Sequence, residues 1–323
     1  MPVLRTQLDS PIAAPATAAD TAARPSLIAD YAELFKLRVT TMIVITGGAG
    51  FYLASLKSGI SSFNPGLLHA LSGIAIVSCG ASALNQVLER RIDKLMHRTM
   101  NRPLAAGRFS LAHGLFMGFA TIFLGSLWLA QMNVITGLLT LLTAIFYVAI
   151  YTPLKRITTL ATFFGAFPGA MPPLLGWTAA RGIIEWPAVA LFGILFVWQF
   201  PHFMAIGWMH REEYARAGIK VLPVTEPDGR STVFEALAYA VLMIPVSLTP
   251  WYLHMTGWPY AVVAVLLSGG YLFYTIRFAR ITTVPPAESL AIARTLLKAS
   301  VIYLPLLLAA MMADAKGRMI LFP

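Results

Sequence analysis

From residue 39 onward the chain returns repeatedly to apolar runs of about 20 residues, and this recurrence constrains its fold more than any other feature. A helix of that length rises ~30 Å, the depth of a bilayer's hydrocarbon layer. Such runs lie near residues 39–57, 66–88, 110–130, 134–152, 160–179, 187–208, 233–254, 258–276 and 298–314. A segment inside lipid must satisfy its own backbone hydrogen bonds, and these runs are too long for barrel strands. The expected fold class is therefore an all-α integral membrane protein with about nine transmembrane helices. Only 12% of residues are charged, against ~25% in soluble domains, which excludes an ordinary soluble enzyme. The single cysteine, Cys79, excludes a disulfide framework and a cysteine metal cluster.

Residues 1–25 are rich in Ala, Thr and Pro and lack a signal-peptide apolar run. They read as a disordered N-terminal tail, and 26–323 as one polytopic membrane domain. Asp9 and Asp20 argue against a mitochondrial targeting peptide. The net charge of +10 calls for no nucleic-acid partner, because the basic residues sort by loop. With the N-terminus inside, all of the 24 Lys and Arg except Lys57, Arg181, Lys316 and Arg318 fall on the inner side. The positive-inside rule then places the N-terminus in the cytoplasm and, for an odd helix count, the C-terminus across the membrane. A bacterial inner membrane is the expected location, with the mitochondrial inner membrane as the alternative.

The second run leads into Asn85, Glu89 and Asp93, which are four residues apart and so lie on nearly one helix face. Two carboxylates and an amide oxygen in that pattern suit a hard divalent cation such as Mg²⁺, whose shell is completed by water and substrate phosphates. Beside them Arg90, Lys94, Arg98 and Arg102 follow the same step. On a continuing helix they form a neighbouring cationic face for a polyanion. The alternative is a helix end whose mixed charges pair with each other and set topology.

About 120 residues later the sixth run carries Pro201 and His202 and ends in His210, Arg211, Glu212, Glu213 and Tyr214. The proline predicts a kink. An imidazole at that depth is either a metal ligand, for example to an iron porphyrin, or a histidine bonded to a neighbouring helix. Both polar clusters follow inside-facing ends, which suggests two related halves with sites at one membrane face.

The segment N-x-x-x-E-x-x-x-D-x-x-M-x-R-T-x-x-R-P at 85–103 resembles the first Asp-rich motif of the UbiA-type membrane prenyltransferases. Further stretches resemble their haem O synthase branch. These are Tyr151 to Thr158, Gly165 to Trp177, Trp198 to Phe203, and Arg211 to Lys220. The likeness extends from about residue 30 to 310. It implies a UbiA-like helix bundle that transfers farnesyl from farnesyl diphosphate to a vinyl group of haem B, adding water to give haem O.

On this resemblance Asn85, Glu89 and Asp93 are the catalytic Mg²⁺ ligands. Arg98, Arg102, Lys155 and Arg156 bind the diphosphate, with Lys36 and Arg38 as outer candidates. His202 faces the porphyrin and Arg211 or Lys220 meets its propionates, with His210, Glu213 and Tyr214 nearby. Haem A synthase or a terminal oxidase assembly is an expected protein partner. Three positions depart from the family pattern: Glu89 and Glu213 stand where Asp is usual, and Ala161 where Asn is usual. An acceptor other than haem would call for a second D-x-x-x-D motif, which residues 202–214 lack. A haem transporter would place its ionisable groups at mid-depth rather than at one face.

Overall fold

A computed structural model describes residues 25–315, whose only regular structure is helical, with no strand among them. The expected tail at 1–25 lies almost wholly outside the described residues. A short helix α1 (Leu27–Leu34) is followed by long helices α2 (Leu37–Lys57), α3 (Pro65–Asp93), α4 (Leu111–Ala130), α5 (Val134–Leu154), α6 (Ala161–Arg181) and α7 (Trp186–Met209). Two short turns, α8 (Arg211–Arg216) and α9 (Leu222–Thr225), lead to α10 (Arg230–Tyr252), α11 (Trp258–Thr282) and α12 (Pro286–Asp314).

Eight of these helices are long and apolar enough to cross a membrane: α2 to α5, α7, and α10 to α12. The chain is a multi-pass membrane protein. The ninth long helix, α6, has a similar length but carries Pro168, Pro172 and Pro173, and most of its residues are buried against α2, α5 and α7. About nine long helices is thus what the apolar runs anticipated. Most helices extend beyond the apolar runs at one end or both, most of all α12, which begins at Pro286 rather than near 298.

Side-chain oxygens cap several starts. Asn64 accepts from the Leu67 amide at the head of α3, Ser110 from His113 at α4, and Asn133 from Thr136 at α5. Large apolar side chains face outward, including Phe116 and Phe119 on α4 and Leu266 on α11, as a surface in contact with lipid requires. The largest interior cluster joins α6, α7, α10, α11 and α12 around Trp177, Leu191, Ile194, Tyr271 and Tyr303. Between α2 and α6 the backbones meet without side chains. A β-carbon on Gly50 would collide with the Pro173 carbonyl, and one on Gly176 with the Gly47 carbonyl.

Two features of this frame position the functional residues. Helix α3 has 29 residues, ~43 Å of rise against a ~30 Å hydrocarbon layer, and the surplus lies at its charged end. At the junction of α1 and α2, Lys36 adopts the left-handed conformation (φ 46°, ψ 51°), which L-residues enter only at a cost.

Candidate active site

The last turns of α3 are buried although polar: Asn85 is fully buried, Glu89 is 8% exposed and Asp93 1%. Burial of two carboxylates demands compensation, and each residue of the stripe meets a cation from a different element. Lys36, turned inward by the break before α2, donates from Nζ to Asn85 Oδ1 at 2.6 Å. Lys155, just beyond α5, donates to Glu89 Oε1 at 2.8 Å. Arg102, in the loop after α3, donates through Nη1 to both Asp93 oxygens at 2.9 and 3.0 Å, and its Nε lies 3.7 Å from Glu33.

Neighbours fix these groups. Residues Phe146–Tyr151 of α5 form a π-helical turn, a distortion that recurs at functional sites because it re-aims the residues after it. Immediately after this turn, Thr152 donates to the Tyr147 carbonyl and accepts from Asn85 Nδ2 at 3.1 Å, so the Asn85 carbonyl is turned toward Lys36. Lys155 Nζ lies 4.5 Å from the centre of the Tyr151 ring. Burial beside Arg102 and Lys155 lowers the pKa of Lys36 below the ordinary lysine value, against the pull of Tyr147 and Glu89. Burial works against the charge on Lys155 too, but Tyr151 and Glu89 outweigh it and hold its pKa above that value.

The second cluster docks on the first. Ile92 and Met96 pack against Ala217 and Ile219, and the Lys220 amide donates to the Lys155 carbonyl at 2.7 Å. Arg98 donates to the Tyr214 hydroxyl at 2.7 Å and stacks over its ring. Burial, and the adjacent Arg98, lower the pKa of His210. Arg211 is engaged with the Trp208 carbonyl and ring, and one Glu213 carboxylate oxygen is buried without a hydrogen-bond partner.

Two turns deeper, α7 continues through Pro201 to Met209, so the proline does not end the helix. His202 stacks on Trp198, and its Nδ1 lies 2.8 Å from Ser300 Oγ on α12. Ser300 gives its one proton to the Leu297 carbonyl at 2.7 Å. With the hydroxyl proton so directed, Ser300 accepts from Nδ1–H, and in that tautomer the imidazole lone pair is on Nε2. The bond to a neighbouring helix, one of the two alternatives the sequence left open, is formed.

The expected single basic stripe is not formed. Helix α3 stops at Asp93, so the four-residue step loses its geometric meaning. Arg98 goes to Tyr214 and Arg102 returns to Asp93, whereas Arg90 and Lys94 lie elsewhere, around a separate cavity. Arg38, Arg156 and Lys220 are exposed, and their side chains bond to none of these groups. No spacing in the sequence points to Thr152, Tyr151 or Ser300. The first two lie inside the Tyr151 to Thr158 stretch, but nothing near Ser300 in sequence signals its role.

The donor set at α3 fits a hard cation that keeps water and substrate ligands: two carboxylates and a fixed amide oxygen on one face. Among the described residues no three His, Cys, Asp or Glu side chains converge as a closed protein cage.

The bundle of membrane-crossing helices, with its acidic stripe faced by three cations, is that of a membrane prenyltransferase, as the family match shows. The chain belongs to the UbiA prenyltransferase family, whose profile matches residues 42–302. It is 48% identical to the protoheme IX farnesyltransferase of Koribacter versatilis, over 90% of this chain and 94% of that one. It is 42% identical to the enzyme of the same name from Solibacter usitatus, over 89% and 99% of the two chains. Solved structures share the fold. One of a digeranylgeranylglyceryl phosphate synthase superposes with a TM-score of 0.72 at 18% identity, covering 89% of this chain and 98% of that one. A UbiA homologue from Archaeoglobus fulgidus bound to GPP and Mg²⁺ gives 0.59 at 16% identity, over 87% and 99%.

Proposed function

We propose that this chain is a protohaem IX farnesyltransferase whose diphosphate site is the end of α3 and whose haem site lies beside α7. The observation that carries the first half is the meeting of three cations from three elements on one buried acidic stripe. The names of the relatives support the choice of substrates.

In the reaction the allylic C–O bond of farnesyl diphosphate breaks and its C1 bonds to the terminal vinyl carbon of haem. Water adds to the other vinyl carbon, losing a proton, and diphosphate departs. Asn85, Glu89 and Asp93 would hold Mg²⁺, which when bound supplies Lewis-acid neutralisation of the leaving group. Lys36, Lys155 and Arg102 neutralise the stripe in the structure, and a diphosphate laid against it takes charge-assisted bonds from the same three cations. Arg98 stands at the edge of this site, held by Tyr214. Arg38 and Arg156 are exposed and serve at most the approach of the anion.

His202, with its lone pair on Nε2, suits an axial contact to haem iron. Arg211, at the start of α8, and Lys220, between α8 and α9, suit the propionates, and His210, Glu213 and Tyr214 border them. The two loops dock on each other, which supports substrate sites at one membrane face, and the sorting of basic residues supports the cytoplasmic side for that face; the membrane we propose is a bacterial inner one. The product then passes to a haem-processing partner such as haem A synthase or an oxidase assembly.

The test is direct. Membranes containing the full chain, given haem B and farnesyl diphosphate with Mg²⁺, should yield a pigment of haem O mass, and Glu89→Gln membranes should not. A prenylated product other than haem O, or none from a folded wild type, would overturn this reading.

A further inference from the structure

On the outer side of the α3 terminus, away from the acidic stripe, Arg90, Arg91 and Lys94 line a cavity of about 320 Å³ whose remaining wall includes Leu104, Phe109 and Leu111. The acids of this end are already matched: Asp30 to Arg108, Glu33 and Asp93 to Arg102, and Glu89 to Lys155. No acid pairs with Arg90, Arg91 or Lys94 among the described residues. Three cations around one concavity repel one another, and an anion relieves that repulsion.

The apolar wall specifies the kind of anion. Leu111 is the first residue of α4, and below it Phe116 and Phe119 form part of the exposed apolar surface of that helix, as Leu88 does on α3 just before Arg90. The cavity therefore sits where the helices leave the hydrocarbon layer. It has cations on its water side and an apolar wall continuous with the lipid-facing surface.

We infer that this cavity binds the phosphate headgroup of an anionic glycerophospholipid, with an acyl chain laid along Phe109 and Leu111. The inference does not depend on the reading of the active site, because none of the three cations contacts the stripe.

The full chain should be purified, exchanged into micelles holding equal amounts of phosphatidylglycerol and phosphatidylcholine, and examined by native mass spectrometry. One phosphatidylglycerol should remain bound in preference to phosphatidylcholine. Each interfacial cation contributes about a fivefold factor, so the combined Arg90→Gln, Arg91→Gln, Lys94→Gln variant should lose on the order of 100-fold in affinity. An Arg90→Lys, Arg91→Lys variant should keep most of the binding, and both should melt close to wild type in neutral detergent. Equal retention of the two lipids by wild type would overturn the proposal, as would unchanged binding by the folded Gln variant. Displacement of the lipid by millimolar glycerol phosphate would also overturn it, by identifying a free-phosphate site. If the triple variant does not fold, the single Lys94→Gln variant carries the test: a loss of about fivefold is expected, and unchanged binding would overturn the proposal.

Discussion

The carboxylates of Glu89 and Asp93 are held by Lys155 and Arg102, and their substitution should separate chemistry from folding. Glu89→Gln leaves Lys155 its acceptor geometry but removes the negative charge, so the helix should form while turnover falls by orders of magnitude. Haem O formation within tenfold of wild type would refute a metal-site role. Ser300→Ala tests the other cluster. Without Ser300, His202 loses the acceptor for Nδ1–H and with it the fixed lone pair on Nε2. Haem affinity should fall roughly 10- to 100-fold, the range for partners of metal-ligating histidines. Farnesyl diphosphate affinity, measured by calorimetry on the same protein, should stay the same; equal losses would mark Ser300 as a packing residue only. Lys36 predicts a pH dependence. Its pKa lies below the ordinary lysine value because it is buried beside other cations. It therefore loses its proton earlier as pH rises, and farnesyl diphosphate affinity should decline on the alkaline side before an exposed lysine would titrate. Lys36→Arg keeps its charge throughout and should flatten that limb of the binding curve.

Among the elements, α2 and α6 depend on the absence of side chains where they cross. In lipid, helix association rests on close packing more than on the hydrophobic effect, and small residues permit it. Gly50→Leu must push the Pro173 backbone away. Overpacking of this kind costs ~1–3 kcal/mol or more, so the variant should melt several degrees lower in detergent; an unchanged melting temperature would show that the two helices can separate freely. The end of α3 shows how an element boundary decides function. Its periodicity is legible through Asp93, where the acidic stripe is continuous and helical. Beyond that residue the chain turns, and the same period no longer groups Arg98 and Arg102 with Arg90 and Lys94.

At the scale of the molecule, the two polar loops form one assembly through the Arg98–Tyr214 bond and the packing of Ile92 and Met96 on Ala217 and Ile219. Both should therefore lie on one side of the membrane. In a Cys79→Ser background, Asn101→Cys and Arg216→Cys should react with an impermeant thiol reagent only from the cytoplasm, and Ser61→Cys only from outside. Labelling of Asn101→Cys and Arg216→Cys from opposite sides would refute the docked arrangement. Long apolar runs, four-residue spacing and the sorting of basic residues were enough to determine the class of fold, the acidic stripe and the cationic character of its surroundings, because each depends on local period or on charge near a helix end. Which cation meets which oxygen was not legible, since Lys36, Arg102 and Lys155 reach α3 from three separate elements. The lone pair of His202 is likewise set by a residue 98 positions away on α12. Such pairings are fixed only when the helices pack, because buried charges and imidazole protons take whatever partners the bundle brings within hydrogen-bond distance.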